Sequence, residues 1–286
     1  MSMAASSQAV GTVFSGTGAT VSDIQSVVDA FRADLGANNG VGPCGGGCLP
    51  GVGRREINWD AVLDAFASGG ANPFPGNFFN LATGSAAGRI RGAEFSTTGS
   101  FEVSADSDSN GDGNPGPVAT LFGNHHSDNS DDFAAFSAER IFGLVGANQL
   151  DVRFSEPGSP GVSAFTRGFG VVFTDVESAV STKLEYFDAQ DNLLHSSFAP
   201  AFPNAGDETF KSFSFLGVTF DSPSVARVRV TSGGRDLDLG AFGEADAVPM
   251  DDFIYGEPTS VPEPGTMALA AIGLGGMLLW RRRRSR

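Results

Sequence analysis

The sequence predicts a mainly β protein: an antiparallel two-sheet sandwich, jelly-roll-like, with one N-terminal helix and one C-terminal transmembrane helix. Three observations carry that expectation. Short apolar runs between residues 88 and 257 are separated by Gly, Pro, Asn and Asp, and 39 Gly with 15 Pro favour many turns over long helices. Only one stretch shows clear helical periodicity. A last apolar run is closed by consecutive arginines. The 286 residues suffice for one large domain or two small ones, and 25 Phe can fill a core.

Residues 1–20 are small and polar and are expected to lack structure. No basic residue precedes Arg32, and the apolar stretch of roughly 7–15 residues that a secretory signal needs is missing. The expectation is a start further upstream, or another export route. Residues 21–257 are expected to form the sandwich domain with its helix. Val21, Ile24, Val27, Val28, Phe31 and Leu35 share one face at helical spacing over 21–35, which suits packing against a sheet. Thr20 and Asp23 have the spacing of a capping pair, and Gly36 can end the helix. Residues 36–53 read as a Gly-rich loop holding Cys44 and Cys48. A disulfide there would close a tiny ring, stabilise little, and fit an oxidising compartment. Two Cys with His125, His126 and His195 scattered elsewhere are no zinc set.

The β pattern follows. Residues 225–231 alternate, with Ala226, Val228 and Val230 on one face and Arg227 and Arg229 on the other. Residues 169–176 are apolar on both faces, as a central strand is. Residues 184–187 and 193–198 flank Asp188-Ala-Gln-Asp-Asn192, a hairpin loop by composition. Further strands are expected around Phe95, Phe101, Leu121, Val152, Phe215 and Ile254, about nine short strands in all.

Net charge is −15, but Arg281, Arg282, Arg283, Arg284 and Arg286 account for five of the 18 basic residues. Ahead of them 13 basic face 33 acidic residues, a charge of −20. Such a body repels phosphate backbones, so nucleic acid is not an expected partner; divalent cations and basic partners suit it better. No Gly-x-Ser-x-Gly, metal triad or Walker loop is present, and no enzymatic activity is expected.

Residues 258–286 form a device of three parts. Val261 precedes Pro262-Glu263-Pro264, whose prolines keep the chain extended and helix-free. Gly265 to Trp280 is an apolar run of 16 residues, about 24 Å as a helix. That is short of the ~20 residues usual for a membrane span, a gap that snorkelling arginines and an interfacial Trp280 can close. Arg281 to Arg284 then fix the C-terminus in the cytoplasm and the body outside. This order resembles the PEP-CTERM sorting signal of Gram-negative bacteria, a tail also labelled the ice-binding protein C-terminal domain. The resemblance implies that an exosortase-type enzyme recognises Pro262, Glu263 and Pro264 and cleaves near them. It further implies transient anchoring in the inner membrane, then a cell-surface or extracellular position. Residues 54–60, 75–79, 168–175, 215–218 and 250–254 resemble an uncharacterised domain that such proteins often carry, which implies a secreted β body of no known activity.

Chemically, the most pointed motif is Asp106-Ser-Asp-Ser-Asn-Gly-Asp-Gly-Asn114. Asp106, Asp108, Asn110 and Asp112 alternate around a turn allowed by Gly111, as in the first half of a calcium loop. The closing Glu is absent, since Pro117 stands at the twelfth position, so the segment is either a β-loop calcium site completed from elsewhere or a solvated Asx-rich turn. Asp251 and Asp252 on the last strand are a weaker calcium candidate by fold analogy. Glu56 and Asp60 beside Trp59 have the minimum composition of a glycosidase site, but acidic pairs arise by chance in a chain this rich in them. The expected function is a structural or interaction role at the cell surface or in the matrix, with calcium as the candidate ion. The alternative is a carbohydrate-binding module for exopolysaccharide, for which Trp59, Tyr186 or Tyr255 would have to be exposed platforms; a glycan-active enzyme ranks behind both.

Overall fold

Seven strands in one antiparallel sheet and six in another enclose the main core of the protein. A computed structural model describes residues 11–43, 49, 51–67, 74–105, 121–125, 129–202, 211–237 and 246–260. The elements are β1 (Thr12–Gly18), α1 (Val21–Leu35), β2 (Arg54–Ile57), β3 (Ala93–Ser96), β4 (Ser100–Val103), a single turn α2 (Asn129–Asp132), β5 (Phe142–Val145), β6 (Gln149–Glu156), β7 (Ser159–Ser163), β8 (Gly168–Thr174), β9 (Lys183–Phe187), β10 (Leu193–Phe198), β11 (Phe213–Thr219), β12 (Arg227–Thr231) and β13 (Met250–Gly256).

The larger sheet runs β1-β11-β8-β13-β5-β4. One edge of β13 pairs with β8; the other is shared by β5, at Met250, and β2, from Phe253 to Gly256. The smaller sheet runs β10-β9-β12-β6-β3, with β7 folded back on β6. From β8 onward the chain crosses between sheets repeatedly, with β9, β10 and β12 in the smaller and β11 and β13 in the larger. β8, β11 and β13 are buried at every position, as strands covered on both faces must be. β12 keeps the expected alternation: Val228 and Val230 enter the core, while Arg227 and Arg229 reach Asp151. The 188–192 segment closes the β9–β10 hairpin, Asp188 accepting the Gln190 and Asn192 N–H groups.

Two expectations need correction. The stretch 12–18, expected to lack structure, is the edge strand β1, paired with β11 from Thr12↔Thr219 to Gly18↔Phe213. Its Ser and Gly content hid it, because only Gly18 is buried and the strand shows no alternating apolar face, its one aromatic residue, Phe14, meeting α1 at Phe31. Leu121 is not in a strand: Leu121 and Phe122 both take positive φ, 52° and 61°, in a tight turn. Among the described residues, eleven strands, β3 to β13, fall between 88 and 257 against about nine expected there, and β1 and β2 precede them.

Helix α1 covers the outer face of the larger sheet. Ile24, Val28, Phe31 and Leu35 are buried against Val172, Phe213, Phe215 and Ile254. Asp23 takes hydrogen bonds from the Thr20 N–H and hydroxyl, both at 2.8 Å, and Gly36, at φ 100°, ends the helix. Phe31 settles over the directly paired Gly170 and Gly217. A Cβ on either would come within 2.9 Å of its ring, so the bare glycine pair makes the seat. Among the described residues no helix is long and apolar enough to cross a membrane, and the expected span, 265–280, lies outside them.

Candidate functional site

The route into the tail is built on β13. Just past its end, Glu257 is 1% exposed and accepts Nε and Nη2 of Arg55, both at 2.8 Å. Asn39 adds a third donor at 2.8 Å, and the Glu257 N–H bonds the Gly53 carbonyl. The remaining terminal nitrogen of Arg55 reaches the carbonyls of Gly42 and Ile90. A buried pair satisfied on both sides is costly to break by removing one partner. Two residues on, Thr259 exchanges both backbone hydrogen bonds with Phe165. The chain is therefore clamped up to the point where the tail begins. Pro262, Glu263, Pro264 and Arg281 to Arg284 lie outside the described residues, as do Asp106, Asp108, Asn110, Asp112, Cys44, Cys48 and His126.

Asp251 and Asp252 sit at the other end of β13. Neighbours on a regular strand face opposite ways. Here the register against β8 shifts between Met250 and Phe253, and both carboxylates reach Ser137. Asp251 Oδ2 accepts the N–H groups of Phe136 and Ser137 at 2.5 and 3.1 Å. Asp252 Oδ2 accepts Arg32 Nη2 at 2.8 Å; the same nitrogen reaches Glu56 at 2.9 Å, and Arg54 completes the row at 2.6 Å from Glu56. Both Asp side chains are buried, at 0% and 2% exposure, and desolvation pushes both carboxyls up, most of all Asp251, which also faces Asp252. Their partners are N–H, O–H and guanidinium donors. This is a lock between α1, the 136–137 loop and β13, and a cation would have to displace those donors. Among the described residues, no group of three or more His, Cys, Asp or Glu is placed to hold a metal ion.

The glycan readings lose the residues that prompted them. Trp59, Tyr186 and Tyr255 are 1%, 0% and 0% exposed. Trp59 stacks on Phe142 at 4.1 Å and donates Nε1–H to the Asp251 carbonyl at 2.9 Å, while the tyrosine hydroxyls bond the carbonyls of Phe169 and Arg91. The oxygens of Glu56 are taken by Arg32 and Arg54, and those of Asp60 by the Arg140 N–H and Asn58. His125 pairs with Glu102 at 2.7 Å.

One cluster was invisible in the sequence. A transverse row of paired residues, Val103, Phe142, Met250 and Phe173, marks one end of the larger sheet. Ala105, two residues past Val103 of this row, is the last described residue before 121. Asp132, Asp175 and Asp246, all buried, gather at this end with Glu177. Asp175 follows β8 at φ 62°, and burial, then the charges of Glu177, Asp246 and Asp132, pushes its carboxyl up to about 8. Asp246 is pushed up by burial to about 6, held back by the Glu177 and Ser178 N–H groups and the Ser181 hydroxyl. No periodicity announces four acids drawn from α2, the segment after β8 and the segment before β13.

Comparison with known proteins adds one sorting motif. No curated protein matches the chain. Among solved structures, the enzymatically active domain of bacteriophage CBA120 tailspike protein 4 aligns with 65% of this chain and 21% of its own length. The identity is 14% and the TM-score 0.25, which establishes no shared fold. Residues 260–284, beginning one residue after the Thr259 clamp, match the PEP-CTERM protein-sorting motif, and the chain therefore carries a PEP-CTERM sorting signal behind a two-sheet β body.

Proposed function

We propose that this is an exported cell-surface or extracellular-matrix protein of a Gram-negative bacterium, sorted by an exosortase-type enzyme that acts at Pro262-Glu263-Pro264. The observation that carries the reading is the sorting motif over 260–284. In this reading residues 265–280 form a transmembrane helix that holds the protein in the inner membrane until cleavage, and Arg281 to Arg284 keep its end cytoplasmic. The body serves as a structural or interaction module without catalysis. Support for that comes from the carboxylates best placed to suggest chemistry, Glu56, Asp60, Asp251 and Asp252, all of which are engaged by donors. Calcium held by Asp106, Asp108, Asn110 and Asp112 stabilises it in this reading, supported by the spacing of those residues.

The test is to change Pro262, Glu263 and Pro264 to Ala in a host that carries the processing enzyme. The variant is expected to stay full-length in the membrane fraction while the parent is shortened and released. Normal shortening and release of the variant would remove these residues from the signal.

A further inference from the structure

An apolar cavity of about 180 Å³ opens beside β2, between the 58–63 turn, Phe78 and Phe79, and the short 87–91 segment. Trp59, Val62, Phe78 and Phe79 give it hydrocarbon and aromatic walls, and Leu63 stands 66% exposed at its margin. Two arginines complete the lining. The Arg89 guanidinium lies over the Phe78 ring at 4.1 Å, and that of Arg91 over Phe79 at 5.4 Å. Their hydrogen bonds go only to backbone carbonyls: Arg89 Nε to Phe78, Arg91 Nε to Gly88, and Arg91 Nη1 to Glu56.

Neither guanidinium meets a carboxylate among the described residues. That is unusual in this molecule, whose body has 33 acidic residues to draw on. Arg32, Arg54, Arg55, Arg167, Arg227 and Arg229 each reach one within 3.1 Å. Burial pulls the Arg91 pKa below its ordinary value, the direction expected of a desolvated cation that lacks a counter-charge. Glu56, whose charge acts on Arg91, has both side-chain oxygens committed to Arg32 and Arg54. An apolar chamber flanked by two uncompensated guanidiniums matches a ligand that is apolar at one end and anionic at the other.

We propose that this cavity binds a small organic carboxylate with an apolar body, its hydrocarbon against the exposed apolar lining at Ala61, Leu63 and Ala86, with the buried Trp59, Phe78 and Phe79 rings behind, and its charge at Arg89 and Arg91. The volume sets the size. A cavity of ~150 Å³ lined by Leu, Ile and Phe accepts benzene, so about 180 Å³ holds one aromatic ring or a chain of similar bulk. The proposal is independent of the sorting tail.

Benzoate is the probe, and its neutral counterpart benzamide the control. Trp59 borders the cavity, and the chain's other indole, Trp280, can be changed to Phe so that fluorescence reports Trp59 alone. In the full chain carrying Trp280→Phe, benzoate is expected to change Trp59 emission saturably. Benzamide should bind about tenfold more weakly, and Arg89→Gln with Arg91→Gln should weaken benzoate by about tenfold, the loss expected for a charge-assisted hydrogen bond. Ala61→Phe, at an exposed position of the wall, should block the cavity without removing a charge, and far-ultraviolet circular dichroism checks that both variants fold. No saturable change with benzoate, equal binding of benzoate and benzamide, or undiminished benzoate binding in folded Arg89→Gln/Arg91→Gln or Ala61→Phe protein would each overturn the proposal.

Discussion

Asp175 shows how one residue can set the response of the molecule to pH. Its folded pKa of about 8 lies far above the 3.8 of an unburied carboxyl, so between these values the folded chain holds a proton that the unfolded chain has released. Stability contributed by that proton is complete at low pH, falls as pH rises through the window, and levels off above about 8. Asp246, at about 6, acts in the same direction over a narrower range. The expected result is a melting temperature that declines from pH 6 to pH 9 and flattens in Asp175→Asn, with the variant the more stable protein at pH 9. Parallel curves for the two would mean that Asp175 is not a buried titrating group. Single residues of this kind were the least legible part of the sequence. Asp251 and Asp252 stood out as a pair on a strand, yet a register shift hidden from any alternation pattern turned both toward Ser137. Asp175 read only as the polar end of a strand, because its burial and two of the three acids that perturb it, Asp246 and Asp132, come from distant segments; only Glu177 is a sequence neighbour.

Among the elements, α1 was legible because its four buried residues repeat at helical spacing and need only a flat apolar partner. What the sequence concealed was the seat. Gly170 and Gly217 look like weak points in two strands, and only their direct pairing beneath Phe31 explains them. In Gly217→Ala the new methyl would lie 2.8 Å from the Phe31 ring and 3.0 Å from Phe215, so a loss of about 1–3 kcal/mol is expected from overpacking. Phe31→Ala should cost about 3–5 kcal/mol by the opposite route, an emptied seat. Denaturant titrations of the two single variants and the double variant measure this. If the glycine exists for the ring, the cost of Gly217→Ala shrinks when Phe31 is already Ala; strict additivity would mean that the two do not meet. β1 was missed for a related reason, since at the edge of a sheet its ladder with β11 and the helix above it, rather than its own apolar residues, secure it.

For the whole molecule, the sandwich was legible from many short apolar runs, and the sorting tail from the order of its parts. Strand order was not, because the pairing of β2 and β5 with the two halves of β13 depends on contacts far apart in sequence. The proposed calcium site belongs to this scale, since an ion bound to the folded form would stabilise the entire domain, by ~2.7 kcal/mol at a hundredfold excess over its dissociation constant. Chelation is expected to lower the melting temperature, and Asp106→Ala with Asp108→Ala to abolish the difference; identical curves with calcium and chelator at matched ionic strength would leave that segment an ordinary polar turn. The clamp at Glu257 and Thr259 has a mechanical meaning as well. The sorting motif follows within a few residues of β13, which has neighbours on both edges. Its ladder bonds run across the strand. A force drawn along the tail therefore loads those bonds together, in shear, instead of peeling them one at a time, and the Thr259–Phe165 backbone pair, then the Arg55–Glu257 pair, take up the load first. If the tail anchors the protein as proposed, a domain hung from its own central strand in this way withstands traction on it, and a cut beyond Ser260 would free the domain without removing a single bond of that strand.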